Sequence, residues 1–267
     1  MLRWSLAAAA VVLALPAAAL ATPADLARAR SAYNQGQYDA AIEAASAAVL
    51  TPATADAGAV VLARAHLERY RQGVDPADLV AARASLGVVR PEGLGARDRV
   101  EYLLALGEAL YLEDDYGASA ALFASTLDLA VTDAPALAEP ALDWWGSAVE
   151  RHASRLAPAA RARAFRAMGD RMAARLAVDP ASGTAAYWIV VAMRGEADPK
   201  GAWDAAVAGW VRARLAGARS ATLRADLDRL VREGIIPDLV RPLAPAARPQ
   251  AESELRAEWE VVKERWK

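Results

Sequence analysis

The stretch that decides the fold runs from Leu103 to Leu127 and reads LLALGEALYLEDDYGASAALFASTL. Leucines at positions 103, 106 and 110 recur at the spacing of one helical face. Gly107 lies on that face, where a small residue lets a second helix approach closely. Residues 113–115, Glu-Asp-Asp, form a turn and leave negative charge at the start of the next helix, where the helix dipole favours it. The stretch therefore predicts one helix–turn–helix unit.

The second helix of this unit completes a recognisable motif. One of its faces carries, at helical spacing, Tyr116, Ser119, Phe123 and Leu127. A glycine, an aromatic residue nine positions later, a small residue and a second aromatic residue resemble the tetratricopeptide repeat (TPR) family. Thr126 stands where that family usually has alanine, and the usual terminal proline is missing. The resemblance implies an all-α fold, an α-α superhelix of stacked hairpins that binds other molecules.

Two weaker copies of the unit precede this one. In residues 27–52 the matching positions are Tyr38, Ala41 and Ala48. Between the two lies a degenerate copy, with Ala63 and His66 on its first helix and, on its second, Leu79, Ala82 and Leu86. A single hairpin of this size is too small to bury its own apolar face, so the units must stack. We therefore predict TPR-like hairpins over residues 22–130.

The second half of the chain predicts helices without an assignable repeat. We expect a helical extension over residues 131–236 that packs on the solenoid. Its helices are predicted at 136–155, 158–177, 181–195, 199–216 and 220–233. Four prolines between residues 237 and 250 predict an extended connector. The last segment, residues 251–267, is predicted to be a helix that either caps the open end of the solenoid or docks on a partner.

The N-terminus predicts export. Residues 1–21, MLRWSLAAAAVVLALPAAALA, have one early positive charge, an apolar run and small residues before a cleavage point after Ala21, which is typical of a signal peptide. The alternative is a membrane anchor, but the run is short for a bilayer and contains Pro16. There is no cysteine for lipid attachment or a disulfide. Arginine outnumbers lysine 28 to 3, which suggests a GC-rich bacterium, so we expect a periplasmic or secreted protein without an integral membrane span after cleavage.

Residues that usually carry catalysis are scarce. The two histidines, His66 and His152, are isolated, and a zinc site needs several nitrogen or sulfur ligands. The glycines are scattered rather than grouped in a phosphate loop, and no nucleophile-elbow sequence is present. Carboxylate pairs such as Asp226 and Asp228 are more typical of a solvated helix face. The sequence therefore predicts a non-enzymatic protein without cofactor or metal.

Charge and tryptophan suggest a binding surface. Residues 101–150 contain ten acidic and no basic residues, whereas residues 151–250 contain seventeen basic and nine acidic ones. These helices either neutralise each other or form a bipolar surface. Tryptophan is enriched at binding hot spots but more often fills a core. The candidate partner-binding residues are Trp144, Trp145, Arg161, Arg166, Tyr187 and Trp188.

Two functions are compatible with these features. The first is a periplasmic TPR-type adaptor or scaffold that binds a protein or peptide partner in the cell envelope, as the resemblance implies. The second is a small-ligand-binding protein associated with a solute transporter, because some periplasmic TPR proteins serve TRAP-type transporters. An open groove favours the adaptor, and a closed tryptophan-lined cavity favours the ligand binder. The net charge of −2 and the export signal disfavour nucleic acid.

Overall fold

A computed structural model describes residues 23–267, and this part of the chain consists of helices and their connections without a strand. The predicted all-α class is confirmed. The predicted signal peptide, residues 1–21, lies outside the described residues. None of the described helices combines the length and the apolar composition needed to cross a lipid bilayer.

The first six α-helices are α1 (Pro23–Asn34), α2 (Tyr38–Val49), α3 (Ala55–Gly73), α4 (Pro76–Gly87), α5 (Ala96–Leu112) and α6 (Tyr116–Asp133). They are followed by α7 (Ala138–Ser154), α8 (Pro158–Val178), α9 (Gly183–Gly195), α10 (Pro199–Arg212), α11 (Ser220–Leu230), α12 (Ile236–Val240) and α13 (Arg248–Arg265). Short 3-10 helices cover Pro91–Gly93, Pro135–Leu137 and Ala213–Arg219, and a π-helical turn covers Val231–Ile235. The predicted helices of the second half agree with α7 to α11 within a few residues, except that the span 199–216 ends its α-helix at Arg212.

Polar caps and prolines set where the helices begin. Asp75, Asp115, Ser182 and Asp198 each accept a hydrogen bond from a backbone N–H in the first turn of the following helix. Such caps satisfy N–H groups that have no partner within the helix. Proline opens α4, α8 and α10, where its missing N–H costs nothing. The connections are therefore short, and each helix returns along the previous one.

The helices pack in chain order. From α1 to α10 each helix contacts the next, and each odd-numbered helix from α1 to α9 also contacts the following odd-numbered helix. The odd-numbered helices up to α11 consequently form one continuous layer. The even-numbered helices cover its other side.

Glycines allow helices to approach each other at three positions. A Cβ atom added to Gly107 would lie 2.5 Å from the ring of Phe123 in the neighbouring helix. The same construction puts Gly146 2.5 Å from the ring of Trp188 and Gly195 2.3 Å from that of Phe165. The close-approach role predicted for Gly107 is thus confirmed.

The buried face of α5 differs from the predicted stripe of leucines. Leu103, Leu106 and Leu110 are only partly buried, whereas Leu104 and Ala105 are fully buried. The prediction assumed a helix that packs on one side. In the structure α5 contacts α3, α4, α6 and α7, so its buried surface is wider than one leucine stripe.

The predicted extended connector over 237–250 is helical at both ends. Pro237 lies in the first turn of α12 and Pro249 in the first turn of α13, positions where proline is compatible with a helix. Only residues 241–247 separate these helices. The last helix, α13, packs on its own chain: Trp259 is completely buried, with ring centroids 5.8 Å from Trp203 and 5.5 Å from Trp210.

Candidate binding groove

Two neighbouring cavities lie on the layer of odd-numbered helices. The first, of about 480 Å³, is bounded by α1, α3, α5 and α7. The second, of about 660 Å³, is bounded by α7, α9 and α11 together with the end of the 3-10 segment before α11. Both cavities contain Pro140, Asp143 and Ser147 of α7. They therefore adjoin each other across α7 and together are here called the inner groove.

The first cavity combines aromatic rings with arginines. The Arg64 guanidinium lies 4.5 Å from the ring centroid of Tyr33, and that of Arg71 lies 5.0 Å from the ring of Trp144. Tyr111 meets Trp144 edge to face at 5.2 Å. Cation–π and edge-to-face contacts of this kind hold side chains in fixed positions. This wall of the groove is consequently ordered before any partner arrives.

Both arginines of this cavity are already neutralised. A nitrogen of Arg64 lies 3.1 Å from a carboxylate oxygen of Glu101, and both groups are mostly buried. Arg71 donates to the carboxylate of Glu68 at 2.9 Å. The first cavity therefore offers little unpaired positive charge to a ligand.

Glu108, on the floor of the same cavity, is different. Its side chain lines the cavity but is only 3% exposed, and its Oε2 atom has no hydrogen-bond partner. Burial raises the pKa of this carboxyl to about 7, against the opposing effects of the positive charges of Arg64 and Arg71 and of a hydrogen bond from Trp144. The structure thus keeps an unsatisfied acceptor next to the groove.

The second cavity repeats this arrangement of paired cations and free carboxylates. Its arginines, Arg219 and Arg229, are within 3.5 Å of Glu139 and 2.7 Å of Asp226 respectively. Glu150, at the same cavity, forms no ion pair within the described residues 23–267. The second cavity therefore also leaves negative charge uncompensated.

Asp143 lies where the two cavities join. It accepts a hydrogen bond from Trp188 Nε1 at 2.8 Å and has no cationic partner within 4 Å in the part of the chain that is described. The surrounding walls partly desolvate Asp143 and Glu150, which raises the pKa of both carboxyls although both remain in contact with solvent. The carboxyl groups of the inner groove without a cationic partner are thus Glu108, Asp143 and Glu150.

Only some of the residues predicted to bind a partner line the groove. Trp144 and Tyr187 are partly buried and line the groove. Trp188 is 4% exposed and forms part of the floor of the second cavity, whereas Trp145 is 7% exposed and belongs to the core. Trp145 is therefore a packing residue.

The two predicted arginines lie away from the groove on α8. Arg161 donates to the backbone carbonyls of Ser154 and Leu156 at the preceding turn. Arg166 is paired with Glu196 at 2.9 Å. Neither arginine lines either cavity, so the six predicted residues do not form one site.

The sequence predicts a pocket where tryptophans meet the arginine helix, residues 158–177. A cavity of about 480 Å³ does lie there, between α6, α7 and α8, and it contains Arg171 and Arg175. Its other lining residues are aliphatic or acidic and include no tryptophan. Arg171 instead lies over the ring of Trp145 at 5.3 Å and covers it.

Part of the segregated charge is neutralised by ion pairs between helices. Arg171 approaches Asp128 at 3.7 Å, and Arg175 approaches Glu139 at 3.9 Å. Sequence reasoning missed that the acidic residues left over from such pairs face the groove. The available signal was that Asp143 and Glu150 lie seven positions apart, on one face of α7.

Neither histidine belongs to the groove. His66 Nδ1 lies 2.8 Å from Asp78 Oδ1, which also accepts from Arg69. The ring of His152 packs over Gly117, and a Cβ there would lie 3.1 Å from it. No cluster of three potential metal ligands occurs among residues 23–267. The groove is therefore best described by its shape, its aromatic walls and its free carboxylates.

No protein-family model, no curated protein and no solved structure matches this chain. Its function is inferred below from the inner groove and from the sequence.

Proposed function

We propose that the protein is a TPR-like adaptor of the bacterial cell envelope that holds a protein or peptide segment in the inner groove and does not catalyse a reaction. The observation that carries this proposal is that two adjoining cavities extend across α1, α3, α5, α7, α9 and α11. Repeat proteins that stack helix pairs present concave surfaces of this kind to their partners.

The contacts of the motif residues support the TPR likeness. Phe123 covers Gly107, and Ser119 Oγ donates to the backbone carbonyl of Gly107 at 2.9 Å. The small residue and the aromatic residue of the motif therefore both serve the close approach of α5 and α6. This is the role that the resemblance assigns to them.

The dimensions of the groove suit an extended segment. Packed helices lie roughly 8–10 Å apart, so the groove from α1 to α11 spans roughly 40–50 Å. An extended chain rises about 3.3 Å per residue, so a segment of about 12–15 residues would cover that length. A single small solute would occupy only a fraction of it.

The alternative function is a small-ligand binder associated with a solute transporter. It is supported by the size of each cavity, since ligand pockets commonly have volumes of about 300–1,000 Å³. The aromatic side chains of Tyr111, Trp144 and Tyr187 would suit an aromatic solute. Because the cavities are joined through α7, we favour the adaptor.

Photocrosslinking in living cells tests the proposal. A photoreactive amino acid replaces Ser147, which is shared by both cavities, and in a control it replaces Glu43, which is exposed on α2. We expect one discrete envelope protein to be captured from position 147 and not from position 43. If neither position captures a protein while thermal-shift screening finds a stabilising small solute, the transporter-linked alternative replaces the adaptor.

Export is tested separately. We expect cleavage after Ala21, so that the N-terminus of the protein recovered from the periplasmic fraction begins at Thr22. Mass spectrometry of the intact protein measures this directly. Recovery of the uncleaved chain with the inner membrane would favour the anchor alternative.

A further inference from the structure

One oxygen of the buried Glu108 carboxyl lacks a donor. Glu108 lines the first cavity and is 3% exposed, and its Oε2 has no hydrogen-bond partner. A buried polar group left unsatisfied costs about 1–3 kcal/mol, and more if it is charged. A ligand that brings a donor to this oxygen would recover that free energy.

The neighbouring cations of the chain do not supply the donor. Arg64 is held by Glu101 and by the ring of Tyr33, and Arg71 is held by Glu68 and by the ring of Trp144. Turning either guanidinium toward Glu108 would break an ion pair and a cation–π contact. Arg64 Nε is also buried without a partner, so it does not reach Glu108 Oε2, and this oxygen stays open to a donor from outside the chain.

The remaining walls of the first cavity select the shape of the donor. The aliphatic part of these walls consists of Leu104, Leu112, Leu137 and Pro140. Lysine and arginine side chains carry their charge on a long aliphatic stem that packs well on apolar surface. A short polar side chain would leave these walls in contact with water.

Charge along the groove favours a cationic partner beyond this single contact. Asp143 and Glu150 continue the unpaired negative charge from the first cavity into the second, while the arginines of the groove are paired. A basic segment would meet attraction over much of the groove, and an acidic segment would meet repulsion.

We propose that the inner groove selects protein segments that carry a lysine or arginine side chain, and that this side chain enters the first cavity and donates to the Glu108 carboxylate. The inference rests on the proposed function, because it names the chemistry of the segment that the adaptor holds. Glu108 is the anchor, and Asp143 and Glu150 attract additional positive charge.

Selection from a displayed library of random dodecapeptides tests the inference. The library is panned on the full-length protein, on Glu108→Gln and on Glu43→Gln, which removes the same charge from the exposed face of α2. We expect lysine and arginine to be enriched in peptides bound by the wild type and by Glu43→Gln. Enrichment should fall about tenfold for Glu108→Gln, whose circular dichroism spectrum confirms that it is folded.

The outcomes of this selection distinguish a failure of the Glu108 inference from a failure of the adaptor function. Enriched peptides without a basic preference, or with the same preference on Glu108→Gln, overturn the inference and leave the adaptor function standing. Absence of any enriched peptide overturns both. As a second variant, Asp143→Asn should reduce the preference less, because Asp143 retains contact with solvent.

A titration separates a peptide side chain from a free amine. The best selected peptide is compared with its lysine-to-norleucine analogue and with free spermidine. We expect the analogue to bind at least tenfold more weakly and spermidine to bind far more weakly than the peptide. Equal binding of spermidine and the peptide, lost in Glu108→Gln, would show a small-cation site and overturn the assignment to a protein segment.

Discussion

The helices α1–α4 and α7–α13 pack largely in chain order but fill their cores with different side chains. In α1–α4 the buried residues are mainly alanines, and no aromatic side chain between residues 24 and 87 is fully buried. In α7–α13 the core is built around Trp145, Trp188, Trp203, Trp210 and Trp259. Helices that pack in chain order therefore do not require one kind of core.

The repeat motif is clearest between these two regions, in α5 and α6, where Gly107 faces the ring of Phe123. The alanine faces of α1–α4 match the motif only in part. The second region also places glycine opposite an aromatic ring, at Gly146 and Trp188, which makes space for a large side chain. Both regions nevertheless line one inner groove, since α7 contributes to both cavities.

The largest loss of stability is expected from a substitution that disrupts the aromatic core. Trp259→Ala removes a completely buried ring that contacts Trp203 and Trp210, together with its hydrogen bond to Asp228. We expect a loss of about 3–5 kcal/mol in the free energy of unfolding, measured by chemical denaturation. Trp266→Ala is the matched control, because Trp266 is 39% exposed, and should change stability by under about 1 kcal/mol. Equal effects of both substitutions would show that α13 does not cap the core.

The next largest effect is the dependence of stability on pH that Glu108 causes. Glu108 lies on α5, between the two regions. Its carboxyl has a pKa of about 7 in the folded chain against an ordinary value of 4.5. The folded chain therefore retains a proton that the unfolded chain has lost, so the contribution of Glu108 to stability falls as pH rises from about 4.5 through 7. Other ionisable groups at its cavity are Tyr33, Arg64, Glu68, Arg71, Tyr111 and Asp143.

Glu108→Gln measures this contribution. Glutamine has no proton to lose, so the variant should gain stability relative to the wild type as pH rises, by up to roughly 3 kcal/mol above pH 7. Denaturation at pH 5, 6, 7 and 8 gives the difference, with Glu43→Gln as the control that should show no such trend. A constant difference across this range would mean that Glu108 has an ordinary pKa and is not desolvated.

A pair of glycine substitutions tests whether the motif unit and the second region both depend on the close approach of a glycine to an aromatic ring. Gly107→Ala and Gly146→Ala each bring a Cβ to 2.5 Å from a buried ring, so we expect each to cost about 1–3 kcal/mol through overpacking. Gly87→Ala is the control, since no atom lies within 4 Å of the added Cβ. Thermal denaturation provides the ranking. If Gly146→Ala were harmless while Gly107→Ala destabilised the protein, only the motif region would depend on close approach.

The sequence predicts local features of the fold well and the groove poorly. The helix spans and the Gly107–Phe123 approach follow from spacing and turn residues, which act within a few positions. The isolation of Glu108 depends on the ion pair of Arg64 with Glu101, which requires the packing of α3 on α5, and on the Glu68–Arg71 pair within α3. The connector is shorter than predicted, because two of its four prolines lie in the first turns of helices.

The smallest expected effect concerns the outer surface of α8. Arg166 and Glu196 form an ion pair in which the arginine is largely exposed, and such pairs contribute about 0–1 kcal/mol. We expect Arg166→Ala to change the free energy of unfolding by less than about 1 kcal/mol, measured by chemical denaturation. It should also leave the protein captured from position 147 unchanged, because Arg166 does not line the groove. Loss of that capture with unchanged stability would show that the partner extends over the even-numbered helices, and the contrast between a binding layer and a covering layer would then be wrong.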